Sequence, residues 1–160
     1  MDGIIAISST TKNDILQFYD FPENKIRVIP LAQNQITDSS KKEIDLKSHK
    51  LEKNGYLLFV GQISIRKNIL NLLKAFSLSG LHNDLKLLLA GMEGRGIEKI
   101  KEAVLESGLQ EQVELLNYIP DETLPSLYEN SSGFVFPTYY EGFGIPILEA
   151  MINRTPVMIG

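Results

Sequence analysis

Short apolar runs alternate with segments of helical periodicity along the chain, and this alternation limits the fold more than any other feature. The clearest runs are Tyr56–Val60, Leu85–Ala90, Val113–Leu116, Phe134–Phe136 and Pro156–Ile159. Strands that are apolar on both faces are typical of parallel sheets covered by helices. We therefore predict an α/β fold, a Rossmann-like parallel sheet with helices on both faces. The sheet ends on a strand and is expected to be incomplete at its C-terminus.

The segments between the runs predict the connecting helices. One helix is expected over Asn68–Leu78 and another over Ile97–Ser107, with Leu105 among the buried residues of the second. Asp121 is expected to cap a short helix that runs through Tyr128, because aspartate is a favoured N-cap residue.

Composition changes between residues 34 and 54, where Asn, Gln, Ser and Lys replace the regular apolar pattern. We predict a linker there. Before it, a helix is expected between two short strands, with Ser9 or Thr10 as its N-cap. After it, residues 55–160 are expected to form the main domain.

Composition excludes several classes of protein. The formal net charge of −4 argues against a nucleic-acid surface, and the lack of cysteine excludes disulfides and thiolate metal sites. No cationic and apolar leader is present, and no apolar run approaches the roughly 20 residues that cross a bilayer. A cytoplasmic protein is expected.

The strongest motif is Glu141-Gly-Phe-Gly-Ile-Pro-Ile-Leu-Glu149, which follows an apolar run and enters a helix. The amides and dipole of a helix start favour an anion such as phosphate. A carboxylate near a phosphate needs another partner, and sugar or ribose hydroxyls suit it. The residues alone leave open that Glu141 caps the helix while Glu149 is a solvated helix residue.

Two further strand-to-helix loops carry candidate residues. Gly61-Gln-Ile-Ser-Ile-Arg-Lys-Asn68 places Arg66 and Lys67 side by side, which suits a diphosphate. Gly91-Met-Glu-Gly-Arg-Gly96 has glycines at a spacing that differs from the dinucleotide motif G-x-G-x-x-G. Gly91 is interpreted as a glycine that is needed because the backbone there leaves no room for a side chain.

The segment Phe134-Val-Phe-Pro-Thr-Tyr-Tyr-Glu-Gly-Phe-Gly-Ile-Pro-Ile-Leu-Glu-Ala-Met151 resembles the E-x7-E signature of the group 1 glycosyltransferases, a retaining family with the GT-B fold. The resemblance covers most of residues 55–160 and, more weakly, residues 2–30. It implies that residues 1–33 are the last strand and helix of an N-terminal acceptor domain. Residues 34–54 would be the linker, and residues 55–160 an incomplete nucleotide-sugar-binding domain.

The resemblance also implies roles for individual residues. Lys67 would stabilise the departing diphosphate and Glu141 would orient the donor sugar, and both are candidate catalytic residues. Glu149 would bind the ribose hydroxyls, and Ile119 would pack on the base. Gln62 stands where many members carry Arg, and whether Arg66 replaces that cation is left open. The predicted donor-binding residues are Gly61, Gln62, Arg66, Gly91, Ile119, Gly142, Phe143, Gly144, Ile145 and Glu149.

These features predict part of a retaining hexosyltransferase of polysaccharide biosynthesis. Its donor would be a UDP- or GDP-sugar, and Arg66-Lys67-Asn68 favours GDP-mannose by resemblance. No cofactor and no metal are expected, because no Asp-x-Asp pair occurs. The chain alone is expected to bind donor without transferring sugar, and peripheral membrane contact is expected only through the absent part. A sugar-nucleotide epimerase of the same fold and a non-catalytic nucleotide-sugar-binding module are the alternatives.

Overall fold

The computed structural model describes residues 2–32 and 41–160. Their contacts divide the chain into two units. The small unit contains the described residues up to Ala32 together with Tyr140–Ile145. The large unit contains residues 41–139 and Pro146–Gly160.

The small unit contains a strand, a helix and a second strand. Strands β1 (Ile4–Ala6) and β2 (Ile26–Val28) pair in parallel, and helix α1 (Ser9–Phe18) connects them. Ala6 and Ile26 are buried, which fixes the inward face of this pair.

The N-cap of α1 is Ser8, and the prediction of Ser9 or Thr10 is wrong. Ser8 has an extended backbone, and its hydroxyl oxygen accepts a hydrogen bond from the amide of Thr11 at 3.0 Å. Ser9 and Thr10 lie inside the helix, where their amides need capping themselves.

The large unit contains a five-stranded parallel sheet in the order β5-β4-β3-β6-β7, so the predicted fold class is confirmed. Its strands are β3 (Tyr56–Val60), β4 (Lys86–Ala90), β5 (Val113–Leu116), β6 (Gly133–Phe136) and β7 (Val157–Ile159). Its helices are α2 (Ile69–Ser79), α3 (Ile97–Glu106), α4 (Leu124–Glu129) and α5 (Ile145–Ile152), the last of which starts at the final residue of the small unit.

The direction of strand addition reverses between β3 and β6. The chain adds β4 and β5 on one side of β3, then returns to add β6 and β7 on the other side. Right-handed crossovers therefore place α2 and α3 on one face of the sheet and α5 on the opposite face. Ligands of such sheets bind at this switch point, outside the carboxyl ends of the strands.

The core confirms most of the apolar pattern, with errors in α3 and at the edge strand β7, where Met158 and Ile159 are exposed. Ile100 and Val104 are buried, whereas Leu105 is 62% exposed. Leu105 follows Val104 directly, and a step of one residue turns the side chain by roughly 100° around the helix. No helix in the described ranges is long and apolar enough to cross a membrane.

Residues 41–54, predicted as linker, belong to the large unit and pack against the rest of it. Leu51 is only 3% exposed, and the amide of Ile44 donates to the Ser126 hydroxyl at 3.2 Å. The segment includes a 3-10 turn at Leu46–His49. The partly buried Ile44 and Leu46 also pack against the core, and Lys41 pairs with Glu129. The polar composition of the segment hid these contacts.

Candidate functional site

A pocket of about 350 Å³ opens at the carboxyl ends of β3, β4 and β5. Such a volume is typical of small-molecule sites, which span about 300–1,000 Å³ and are largely apolar. The pocket brings together four of the predicted donor-binding residues, Gly61, Gln62, Gly91 and Ile119. The complete lining is Val60, Gly61, Gln62, Ala90, Gly91, Met92, Tyr118, Ile119, Asp121 and Leu124.

Backbone hydrogen bonds join the loops that follow β3 and β4. The amide of Ile63 donates to the carbonyl of Met92, and the amide of Gly94 donates to the carbonyl of Ile63, both at 2.9 Å. Gly91 has φ +140°, and a Cβ atom there would lie 2.1 Å from the carbonyl oxygen of Gly61. The glycine therefore clears the neighbouring loop and lets the two loops form one wall of the pocket.

Gly91→Ala is expected to destabilise the chain by about 3 kcal/mol or more, because it combines a forbidden backbone conformation with a clash against backbone. Gly108→Ala is a matched control: Gly108 also has positive φ, at +70°, but a Cβ atom there would have no other atom within 4 Å. It is expected to cost only about 1 kcal/mol. Urea denaturation followed by circular dichroism measures both, and equal losses would contradict the close approach.

Lys67 lies at the switch point in a buried position. It ends the 3-10 turn Ile65–Lys67, and only 9% of its surface is exposed. Its ammonium nitrogen lies 5.7 Å from the ring centroid of Phe136, the last residue of β6, in a cation–π contact. Arg66 is exposed, so the two predicted cations occupy different environments.

Asn68 connects the loops that follow β3 and β6. It adopts the left-handed conformation at φ 62°, and its side-chain amide donates to the carbonyl of Pro137 at 2.9 Å. Asn71 donates to the Asn68 side-chain oxygen at 2.7 Å and to the Tyr139 hydroxyl at 2.6 Å. In the sequence Asn68 stands out only as part of a motif, and the structure assigns it a contact across the switch point.

Glu149 has a partner that sequence reasoning missed. The hydroxyl of Tyr128, in α4, donates to Oε2 of half-buried Glu149 at 2.8 Å. Burial, together with the Glu149 carboxylate, raises the pKa of Tyr128. The tyrosine therefore stays protonated at neutral pH and remains a donor to the carboxylate.

Glu141, the other predicted glutamate, belongs to the small unit together with the neighbouring Gly142 and Gly144. Gly144 is buried with φ +85°, a conformation that favours glycine. Tyr140 precedes this stretch, and its hydroxyl donates to the carboxylate of Asp14 in α1. The predicted residues of this loop are Glu141, Gly142, Phe143 and Gly144, and the predicted Ile145, which is exposed, is the first residue of α5.

Asp121 lies on the wall of the pocket, and its predicted role as a helix cap is wrong. Helix α4 begins later, after Thr123, and no side chain caps it. The amide of Thr123 instead donates to the carbonyl of Pro120 at 2.9 Å, so a backbone turn occupies the expected cap position. Asp121 is exposed, and it is the one ionised side chain among the described residues that line the pocket.

The sequence matches a known family over most of its length. The family model described as "Glycosyl transferases group 1" matches residues 40–160. "O-antigen chain mannosyltransferase B" of Escherichia coli is 33% identical over 160 residues, which cover 97% of this chain and 42% of that protein. "O-antigen chain mannosyltransferase RfbU" of Salmonella typhimurium is 29% identical over 156 residues, with coverages of 98% and 41%.

The fold of this chain is similar to part of a solved structure. Anabaena Alr3699/HepE, crystallised "in complex with UDP and glucose", aligns with a TM-score of 0.79 at 19% identity. The alignment covers 98% of this chain and 43% of that one. The chain thus spans about two-fifths of the length of the relatives that it matches.

Proposed function

The chain belongs to the group 1 glycosyl transferases, and we propose that it binds the donor in a retaining hexosyltransferase of that family. The donor is a nucleoside diphosphate sugar, and the acceptor is a hydroxyl group. One observation carries this proposal: the loop that contributes Gly61 and Gln62 to the pocket also holds the buried cation of Lys67. An apolar pocket and a buried positive charge on one loop suit a base and a diphosphate.

The proposed chemistry assigns one task to each group. The base packs on Ile119, and Glu149 accepts hydrogen bonds from the ribose hydroxyls. The bond from the anomeric carbon to the diphosphate breaks, the acceptor oxygen bonds on the same face of the sugar, and the proton of the acceptor hydroxyl passes to the departing diphosphate. Lys67 stabilises the negative charge that the diphosphate gains, because a buried cation is weakly screened. Glu141, with the amides of Phe143 and Gly144, orients the sugar.

The proposed base is guanine, and the proposed donor is GDP-mannose. The carboxylate of Asp121 only accepts hydrogen bonds. Guanine offers two adjacent donors, N1–H and the exocyclic amine, whereas uracil offers one N–H between two carbonyl oxygens that would repel a carboxylate. The names of the two curated relatives, both mannosyltransferases, support mannose as the sugar.

Calorimetry tests the nucleotide proposal. We expect this chain to bind GDP more tightly than IDP, which lacks the exocyclic amine, and more tightly than UDP or ADP. Asp121→Asn should weaken GDP binding about tenfold to a hundredfold, because hydrogen bonds to a charged group contribute about 1.5–3 kcal/mol, and it should not weaken UDP binding, because it removes the repulsion of the uracil carbonyl oxygens. Glu122→Gln is the control, since it removes a neighbouring charge that pairs with Lys42 and lies off the pocket.

The outcomes separate the two parts of the proposal. If the chain prefers UDP and Asp121→Asn does not weaken nucleotide binding, the proposal that the base is guanine is wrong. The proposal that the chain binds a donor nucleotide would still stand. Failure to bind any nucleoside diphosphate would contradict the function. The affinity for GDP should not change in EDTA, because Lys67 compensates the charge of the diphosphate. A loss of affinity in EDTA that Mg²⁺ restores would show that binding requires a metal.

Turnover is a property of the longer enzyme. We expect no transfer by this chain alone, which spans about two-fifths of its relatives. A full-length enzyme that carries it should form a glycosidic bond with the anomeric configuration of the donor, which proton NMR of the product reports. Inversion would contradict the retaining mechanism. We place this reaction in polysaccharide biosynthesis at the cytosolic face of a membrane.

A further inference from the structure

We infer that Tyr128 is a positioning residue that holds the Glu149 carboxylate ready to receive the ribose of the donor. The inference rests on the proposed role of Glu149 as the ligand of the ribose hydroxyls. Tyr128 itself lies in α4, only 1% exposed, and acts through the carboxylate rather than on the donor.

Tyr128 is fixed from several sides. Its backbone carbonyl accepts hydrogen bonds from the hydroxyls of Thr155 at 2.8 Å and Ser131 at 2.9 Å. Its ring packs edge-to-face on Phe134 with the centroids 5.5 Å apart. A donor held this firmly restricts the rotamers of the side chain that accepts from it, here the half-buried Glu149.

The contact leaves the carboxylate able to bind a second partner. A carboxylate has two oxygens and about four lone-pair sites, and the Tyr128 hydroxyl uses one site on Oε2. Oε1 stays available for a ribose hydroxyl. Because one carboxylate orientation is already selected, ribose binding costs less side-chain entropy than it would with a freely rotating glutamate.

If the Tyr128 hydroxyl only supported the fold, a hydrogen bond to a backbone carbonyl would be sufficient. Tyr56 is also fully buried, and its hydroxyl donates to the backbone carbonyl of Leu127 at 2.7 Å. That bond satisfies the hydroxyl without involving an ionised side chain. The Tyr128 hydroxyl is instead directed to a carboxylate on another helix, which must be partly desolvated to accept it.

The test compares Tyr128→Phe with Tyr56→Phe, which also removes one buried hydroxyl. Binding of GDP and of 2′,3′-dideoxy-GDP is measured by calorimetry, and stability by thermal denaturation. We expect Tyr128→Phe to weaken GDP binding about fivefold to tenfold, the effect of one hydrogen bond of about 1 kcal/mol. Its affinity for dideoxy-GDP should equal that of the wild type. Tyr56→Phe should lower stability without changing either affinity.

Three results would overturn the inference. Equal losses for both nucleotides would show that Tyr128 only supports the fold, and an unchanged affinity for GDP would show that it positions nothing. If the wild-type chain binds dideoxy-GDP as tightly as GDP, Glu149 does not bind the ribose hydroxyls, although the chain still binds the nucleotide. Failure of both nucleotides to bind would instead contradict guanine as the base, and the proposed function as well if UDP and ADP also fail to bind.

A second measurement needs no variant. In wild-type chain with ¹³C at the tyrosine ζ-carbon, GDP should shift the Tyr128 resonance through the shared carboxylate, and dideoxy-GDP should not. Identical spectra with the two nucleotides would overturn the inference.

Discussion

Lys67→Met is expected to lower the turnover of a full-length enzyme that carries this chain by about 10²–10³-fold, the effect of losing one preorganised electrostatic contact in a transition state. The reason is burial: the ammonium has 9% exposure and lies against the Phe136 ring, so water screens it weakly. Methionine keeps the apolar stem that fills this space. The loss should therefore report the charge rather than a cavity.

Arg66→Met is the matched control for Lys67→Met. It removes the same charge from the adjacent residue, which is exposed. We expect a loss below about fivefold, because solvent screens an exposed cation. Initial rates at saturating donor and acceptor measure both variants. Equal losses of turnover would show that Arg66 replaces the arginine that many members carry at the position of Gln62. Full turnover of the Lys67→Met enzyme would contradict the role of Lys67 in stabilising the departing diphosphate.

The two glutamates are expected to separate by role. Glu141→Ala should lower turnover about a hundredfold or more in the full-length enzyme but leave the affinity for GDP unchanged, because its proposed partner is the sugar. Glu149→Ala should weaken GDP binding about tenfold to a hundredfold in this chain, because the ribose belongs to GDP. Calorimetry and initial rates measure the two effects.

Circular dichroism controls for a loss of α5 in Glu149→Ala, since this residue also accepts the Tyr128 hydrogen bond. If both variants bind GDP equally well and the full-length enzyme keeps its rate, the spacing of the two glutamates is structural. The proposed chemistry would then lose its main support.

The sequence predicted the sheet well because its central strands β3, β4 and β6 are buried on both faces. Tyr56–Val60 and Val113–Leu116 have the predicted bounds: the first is a continuous apolar run between two glycines, and the second, which contains Glu114, lies between Gln112 and Asn117. Helix ends were less predictable. Asp121 and Ser9 are both good caps by residue type, but backbone hydrogen bonds decide which residue precedes the first helical turn.

Contacts between elements could not be predicted from spacing. Tyr128 and Glu149 lie 21 residues apart on different helices. Asn68 reaches the carbonyl of Pro137 because β3 and β6 are neighbours in the sheet. Both contacts depend on the order of the strands, which the alternating pattern does not determine.

Titration of ¹⁵N-labelled chain with GDP, followed by amide chemical shifts, tests most directly whether this chain binds a donor nucleotide in the pocket. We predict saturable shifts at Gly61, Gly91, Ile119 and Asp121, which line the pocket, and at Lys67 on the adjoining loop. Ile119→Asp should abolish them, because it places a charge on the apolar surface proposed for the base. Shifts confined to residues away from the pocket, or no shifts at millimolar GDP and none at millimolar UDP, would contradict donor binding at this site.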